Sequence, residues 1–245
     1  MPPGVRPRFV TTRKRTASQG ELPFRPRGGK RPGAGRKPTR ARPGVSHGPR
    51  PPLASRFPVL VTLRMRAGLP SLRQAEPLRE LRAAFSKAAK EGFRIVHFSV
   101  QSNHLHLLVE ARDRIALARG MQGFAVRTAR ALDVLWRRKG PVLDDHYHAR
   151  ILRTPREVRN ALVYVLANAR KHGCAYSRID PFSSGPGFDG WRGGPAAGPG
   201  AALLPASPRT WLLRDGWKRH GLIDPRERPR ASSERPPNRR GVRPV

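Results

Sequence analysis

Two short apolar runs, Phe93–Gln101 (FRIVHFSVQ) and His104–Ala111 (HLHLLVEA), are separated only by Ser102 and Asn103. The first is rich in β-branched and aromatic residues, and the second opens on alternating His and Leu. A two-residue gap leaves room for nothing but a tight turn, so the runs must fold as an antiparallel hairpin. A third run, Val59–Met65, reads as another strand, and Tyr147–Leu152 as a fourth. Between them lie helical periods. Leu78, Leu81, Arg82 and Phe85 fall at helical spacing within Leu72–Lys90, which Glu91-Gly92 closes. Asp113–Lys139 carries the stripe Leu117, Met121, Phe124, Ala125, Thr128, Leu132, Leu135. Thr154-Pro155-Arg156-Glu157 is a capping box with proline at the first helical position, and the helix it starts is expected to run to about His172. The predicted order is strand–helix–strand–strand–helix–strand–helix. Its first six elements give a ferredoxin-like βαββαβ fold of class α+β. That fold has a four-stranded antiparallel sheet with both long helices on one face. The last helix is an addition.

Charge and punctuation bound this core. The 245 residues include 50 Lys and Arg against 16 Asp and Glu, a formal net charge of +34, with 27 prolines and 24 glycines. Residues 1–55 hold 14 basic residues and one acid and show no hydrophobic period, so they are expected to be a disordered basic arm. Residues 56–173 form the expected core domain, itself net +14 from 23 basic and 9 acidic residues. Residues 174–245 read as a Gly/Pro/Ala linker (Ser183–Pro208), a short helix (Arg209–Leu222) and a basic tail. So positive a chain suits a polyanion and argues against a neutral metabolite. The single cysteine, Cys174, excludes an intramolecular disulfide framework and fits a reducing compartment. No apolar run approaches the ~18 residues of a membrane span, and residues 1–10 show no secretory h-region. The expectation is a cytoplasmic, nucleoid-associated protein with no membrane partner, with monomer and homodimer both open.

Chemistry concentrates at Asn103-His104-Leu105-His106. Residues two apart on a strand share a face, so His104 and His106 present adjacent imidazoles while Leu105 and Leu107 point to the core. Such a pair is either a metal-binding couple or two polar residues on a solvated sheet face. The last helix supplies a complement. At about 100° per residue, Val158, Leu162, Val165 and Ala169 form its apolar stripe, and Tyr164 and Asn168 lie together on a flank. Asn168 offers an amide oxygen. A tyrosine hydroxyl is a weak nucleophile at its free pKa of about 10, and becomes competent beside a cation that polarises the electrophile. Other candidates are His97, His146, His148, the acids Asp144 and Asp145, and the tyrosines Tyr147 and Tyr176. Arg127, Arg130, Arg150, Arg153, Arg156 and Arg159 are placed to track a phosphate backbone, or to form solvated helix faces.

VQSNHLHLLVE, followed some fifty residues later by YVLAN on a helix, resembles the HUH single-tyrosine transposases, and within them the REP-associated tyrosine transposase branch. HYHARILRTPREVRNALVYVLANARKHG is similar to the end of that family's domain. The resemblance covers roughly 56–173. Ser102 stands where proline is usual, and Ala169 where proline often follows the asparagine; neither removes a reactive group. The resemblance implies that His104 and His106 hold one Mg²⁺ or Mn²⁺, with Asn168 as third ligand. It further implies that Tyr164 attacks a phosphodiester of single-stranded or hairpin DNA to give a 5′-phosphotyrosine and a free 3′-OH. A non-catalytic DNA- or RNA-binding protein derived from a transposase is the alternative, distinguished by tight binding without cleavage.

Overall fold

The computed structural model describes residues 50–144, 146–168, 179–194 and 204–229. All belong to one compact unit, Gly44–Val245. Most of the expected arm (1–49), Asp145, Cys174 and Tyr176, and the tail from 230 lie outside the described residues.

The sheet has four strands, β1 (Val59–Arg64), β2 (Phe93–Val100), β3 (His104–Ala111) and β4 (His148–Ile151), in the order β2-β3-β1-β4. Every adjacent pair is antiparallel. With helix α1 (Ala75–Ser86) between β1 and β2 and α2 (Arg114–Leu135) between β3 and β4, this is the expected ferredoxin-like α+β arrangement. Alternation on β3 sorts the layers. Leu105, Leu107 and Val109 join Val61 and Leu63 of β1 in a core closed by Leu81 and Phe85 of α1 and by Leu117, Met121, Phe124 and Leu132 of α2. The Phe85 ring stacks on both Phe98 (4.4 Å) and Phe124 (5.4 Å). The odd-numbered β3 residues are thus buried under α1 and α2, and the even-numbered ones look the other way.

Helix α3 (Pro155–Leu166) covers that other face. Its Val158, Leu162 and Val165 pack with Leu108 and Leu152. The capping box forms: Thr154 Oγ1 accepts from Glu157 N–H at 3.2 Å, and the Glu157 carboxylate accepts from the amides of Arg153 (2.7 Å) and Thr154 (3.2 Å). At Val96 the β2–β3 register shifts. Phe93 and Ile95 before the shift, and Phe98 and Val100 after it, all reach the α1/α2 core, while Val96 joins the α3 side. This is the parity change that a bulge produces.

Helices are shorter than the periodicity predicts. α1 begins at Ala75 because Leu72, fully buried, gives its N–H to Ser102 O (2.9 Å), and Arg73 turns to pair with Asp180 (2.8 Å). α2 stops at Leu135: Arg137 adopts φ 47° and Arg138 N–H reaches back to Asp133 O at 2.9 Å, a left-handed stop that needs no glycine.

The described part of the expected linker is folded instead. Phe182 O accepts from Val100 N–H, and Ser184 N–H donates to Phe98 O, so this segment pairs along the otherwise open edge of β2. Phe188, Trp191, Leu212, Leu213, Trp217 and Ile223 then pack with α3. Leu212 and Leu213 come from a one-turn helix α4 (Trp211–Arg214) and Trp217 from a 3₁₀ turn at Gly216–His220, while Phe188 follows a 3₁₀ turn at Gly185–Gly187 and Trp191 and Ile223 form a β-bridge. The expected helix Arg209–Leu222 is therefore two shorter pieces. Glu110, 4% exposed, fastens this region to β3: its carboxylate accepts from the backbone N–H groups of Arg209 (2.9 and 3.0 Å) and Thr210 (2.8 Å). Among the described residues no helix is long and apolar enough to cross a membrane.

Candidate active site

Residues directly opposite each other in an antiparallel pair share a sheet face. His106 lies opposite Thr62 on β1 and Ser99 on β2; His104 lies opposite Arg64. These polar side chains occupy the even-numbered face, under α3. His104 Nδ1 is 2.9 Å from Asn103 Oδ1, an acceptor, so that nitrogen donates to the amide oxygen. His106, only 3% exposed, has its Nδ1 3.0 Å from Thr62 Oγ1. The two Nε2 atoms then face each other at 3.0 Å.

Tyr164 reaches the same point from α3. Its Oη is 3.1 Å from His106 Nε2, and its ring sits edge-on to the imidazole with centroids 4.7 Å apart. Tyr164 is half-buried because it lies on the flank of a helix whose stripe, Val158, Leu162 and Val165, faces the core. Burial pushes its phenol above the ordinary tyrosine value, and the charge of Arg64 works against that shift.

Asn168 follows one turn later. It is fully buried, and neither its amide oxygen nor its amide nitrogen has a hydrogen-bond partner among the described residues. Leaving such a group unsatisfied costs about 1–3 kcal/mol, so its oxygen is suited to a ligand. Among the described residues no third His, Cys, Asp or Glu joins the imidazoles to form a larger metal-binding group.

The donor set fits a divalent cation. Neighbouring ligands at right angles around an ion, each about 2.1 Å away, stand about 3.0 Å apart, the separation of the two Nε2 atoms. Each imidazole is also held from behind through its other nitrogen, the arrangement that orients metal-binding histidines.

Sequence reasoning named His104, His106 and Tyr164, and the structure brings them together; Asn168 lies one helical turn beyond. It does not bring Arg127 and Arg130 there. Both are on α2, whose Leu117, Met121, Phe124 and Leu132 pack under Leu105 and Leu107. The sheet therefore stands between those arginines and the histidines. Arg159 is spent internally: it forms a bidentate pair with Glu227 (2.7 and 2.8 Å) and donates to the carbonyls of Gly221 and Leu222. Arg150 pairs with Glu157 at 3.2 Å, and Arg153 and Arg156 are exposed near the start of α3. His97 is buried, its Nδ1 3.2 Å from Ser184 Oγ, and does not join the pair. Tyr147 packs against the α1/α2 core with the Arg50 guanidinium 3.8 Å over its ring, so it is remote from the imidazoles. Two residues escaped the sequence reading, Thr62 and Arg64, and Asn103 was named in the cluster without a role. The signal for Thr62 and Arg64 was present, since they are the polar positions alternating with Val61 and Leu63.

Residues 72–150 match the model of a family described as transposase, IS200-like. The match includes both histidines and ends before Tyr164. No curated protein matches. A similar solved structure is described as that of a REP-associated tyrosine transposase bound to a REP hairpin. It is 18% identical, with a TM-score of 0.46, and the alignment covers 57% of this chain and 82% of that one.

Proposed function

We propose that this chain, whose residues 72–150 match the IS200-like transposase model, nicks and rejoins single-stranded or hairpin DNA through a 5′-phosphotyrosine on Tyr164. The observation that carries the reading is the approach of Tyr164 Oη to His106 Nε2, 3.1 Å, beside the His104 Nε2 that faces the same point.

His104, His106 and Asn168 would hold a divalent ion, Mg²⁺ or Mn²⁺, which when bound supplies Lewis-acid stabilisation of charge on the scissile phosphate. The chain's own groups do the rest. β3 fixes the two imidazoles without loop entropy. α3 holds the phenol against His106 and shields one side of it from water. In the transfer, the Tyr164 Oη–P bond forms as the P–O3′ bond breaks; Oη loses its proton and O3′ gains one. One phosphodiester replaces another, so its energy is kept and rejoining needs no ATP. The 3.1 Å approach of Tyr164 Oη to His106 Nε2 of the same chain supports action within a single protomer. A net charge of +34 supports a nucleic-acid partner, and hence action at the nucleoid.

The test is incubation of full-length protein with labelled hairpin and linear oligonucleotides, with Mg²⁺, Mn²⁺ or chelator, followed by a denaturing gel. A metal-dependent, slow-migrating protein–DNA band is expected from wild type and none from Tyr164→Phe, with DNA affinity little changed. Adduct at normal yield from Tyr164→Phe, or tight binding with no cleavage in either metal, overturns the proposal.

A further inference from the structure

The site as described holds a nucleophile and metal donors but no assigned group for the negative charge of the phosphate itself. Arg64 has the required placement. It ends β1, and its Cα is the register partner of His104. Facing positions on neighbouring antiparallel strands put their side chains side by side, so Arg64 rises from the sheet next to His104. Its side chain is exposed, and among the described residues it forms no ion pair with an acid. His104 in turn faces His106 across 3.0 Å, and Tyr164 Oη lies 3.1 Å from His106. Arg64 thus stands beside the metal-binding pair that Tyr164 approaches. Arg150 and Arg159, by contrast, are neutralised by Glu157 and Glu227.

Resting on the nucleophile role of Tyr164, we propose that Arg64 is the phosphate-binding residue of this site. Its guanidinium donates to non-bridging oxygens of the scissile phosphodiester and holds phosphorus in line with Tyr164 Oη. A guanidinium suits this task because its planar fork matches two phosphate oxygens at once, which an ammonium cannot do.

The experiment compares full-length wild type, Arg64→Ala, Arg64→Lys and, as a control on an exposed arginine of α1, Arg79→Ala, with thermal midpoints as a folding control. The first arm measures affinity for a hairpin oligonucleotide against salt, without metal, and so needs no catalysis. Loss of one phosphate contact lowers the slope of log K against log salt by about 0.7–0.9. That reduction is expected for Arg64→Ala, with recovery in Arg64→Lys. The second arm measures the rate of covalent adduct formation. A loss of at least a hundredfold is expected for Arg64→Ala, partial rescue by Arg64→Lys, and a wild-type rate for Arg79→Ala. An unchanged salt slope in Arg64→Ala, or adduct formed by it at the wild-type rate, overturns the assignment. If wild type forms no adduct on any substrate, the nucleophile role of Tyr164 falls, and the salt slope alone decides whether Arg64 holds a phosphate.

Discussion

The most graded consequence of the site geometry concerns the two groups behind the imidazoles. Removing a hydrogen-bond partner of a metal-binding histidine costs roughly 10- to 100-fold in metal affinity, or about 1.4 to 2.7 kcal/mol. The structure says where in that range each partner falls. Asn103 is exposed, so in Asn103→Ala water replaces Oδ1 as acceptor for His104 Nδ1–H. The loss is expected near the lower end, about tenfold. Thr62 holds His106, which is 3% exposed, and there water has little access. Thr62→Val keeps the volume and removes the hydroxyl, leaving a buried Nδ1 unsatisfied. Its loss is expected near the upper end, about a hundredfold. The assay is titration of the full chain with Mn²⁺, followed by calorimetry or electron paramagnetic resonance, with thermal midpoints recorded for each variant. Wild-type affinity in both variants, or a larger loss in Asn103→Ala than in Thr62→Val, refutes the reasoning.

Three further outcomes are expected. Burial lowers the His97 pKa to about 3, below its unfolded value of about 6.5, so the unfolded chain takes up the proton first. Its contribution is fully present above about pH 6.5 and is lost by about 1.4 kcal/mol per pH unit as pH falls from there towards 3. In urea titrations His97→Gln should therefore show a shallower acid dependence than wild type; parallel curves contradict this. A Cβ at Gly120 would sit 2.1 Å from the ring of fully buried Phe93. Gly120→Ala should accordingly destabilise the chain, because overpacking of about 3 kcal/mol exceeds the helix-propensity gain of about 1 kcal/mol; a raised thermal midpoint contradicts it. Arg159→Ala releases the Glu227 pair and two carbonyl bonds, so limited proteolysis should accelerate near Gly221–Glu227 with adduct formation unchanged.

Local chemistry was most legible where one signal dominated. β3 runs from His104 to Ala111 as its alternation predicts, since shifting it by one residue would bury two imidazoles in place of Leu105 and Leu107. Thr154 and Glu157 mark the start of α3 by themselves, because a capping box satisfies its orphan amides locally. The flank position of Tyr164 followed from helical geometry alone. What was not legible depended on partners distant in sequence. Arg127 and Arg130 look like a basic stripe until the sheet is seen to divide them from the histidines. Arg159 meets Glu227, 68 residues away. Asn103, Thr62 and Arg64 gain their roles from register and from single hydrogen bonds, which composition does not encode. The segment at Phe182–Trp191 buries aromatic residues without a period, so it resembles a linker in sequence although it pairs with β2.

In the proposed reaction the Tyr164 phenolic oxygen, held against His106, becomes covalently joined to DNA. The most direct measurement is peptide mass spectrometry of nuclease-trimmed protein after reaction with a hairpin oligonucleotide and Mn²⁺. A nucleotide mass on the peptide containing Tyr164 is the expected result. A nucleotide mass on the peptide containing Tyr147 instead, or no modified peptide from a reaction that has cleaved the DNA, contradicts the account.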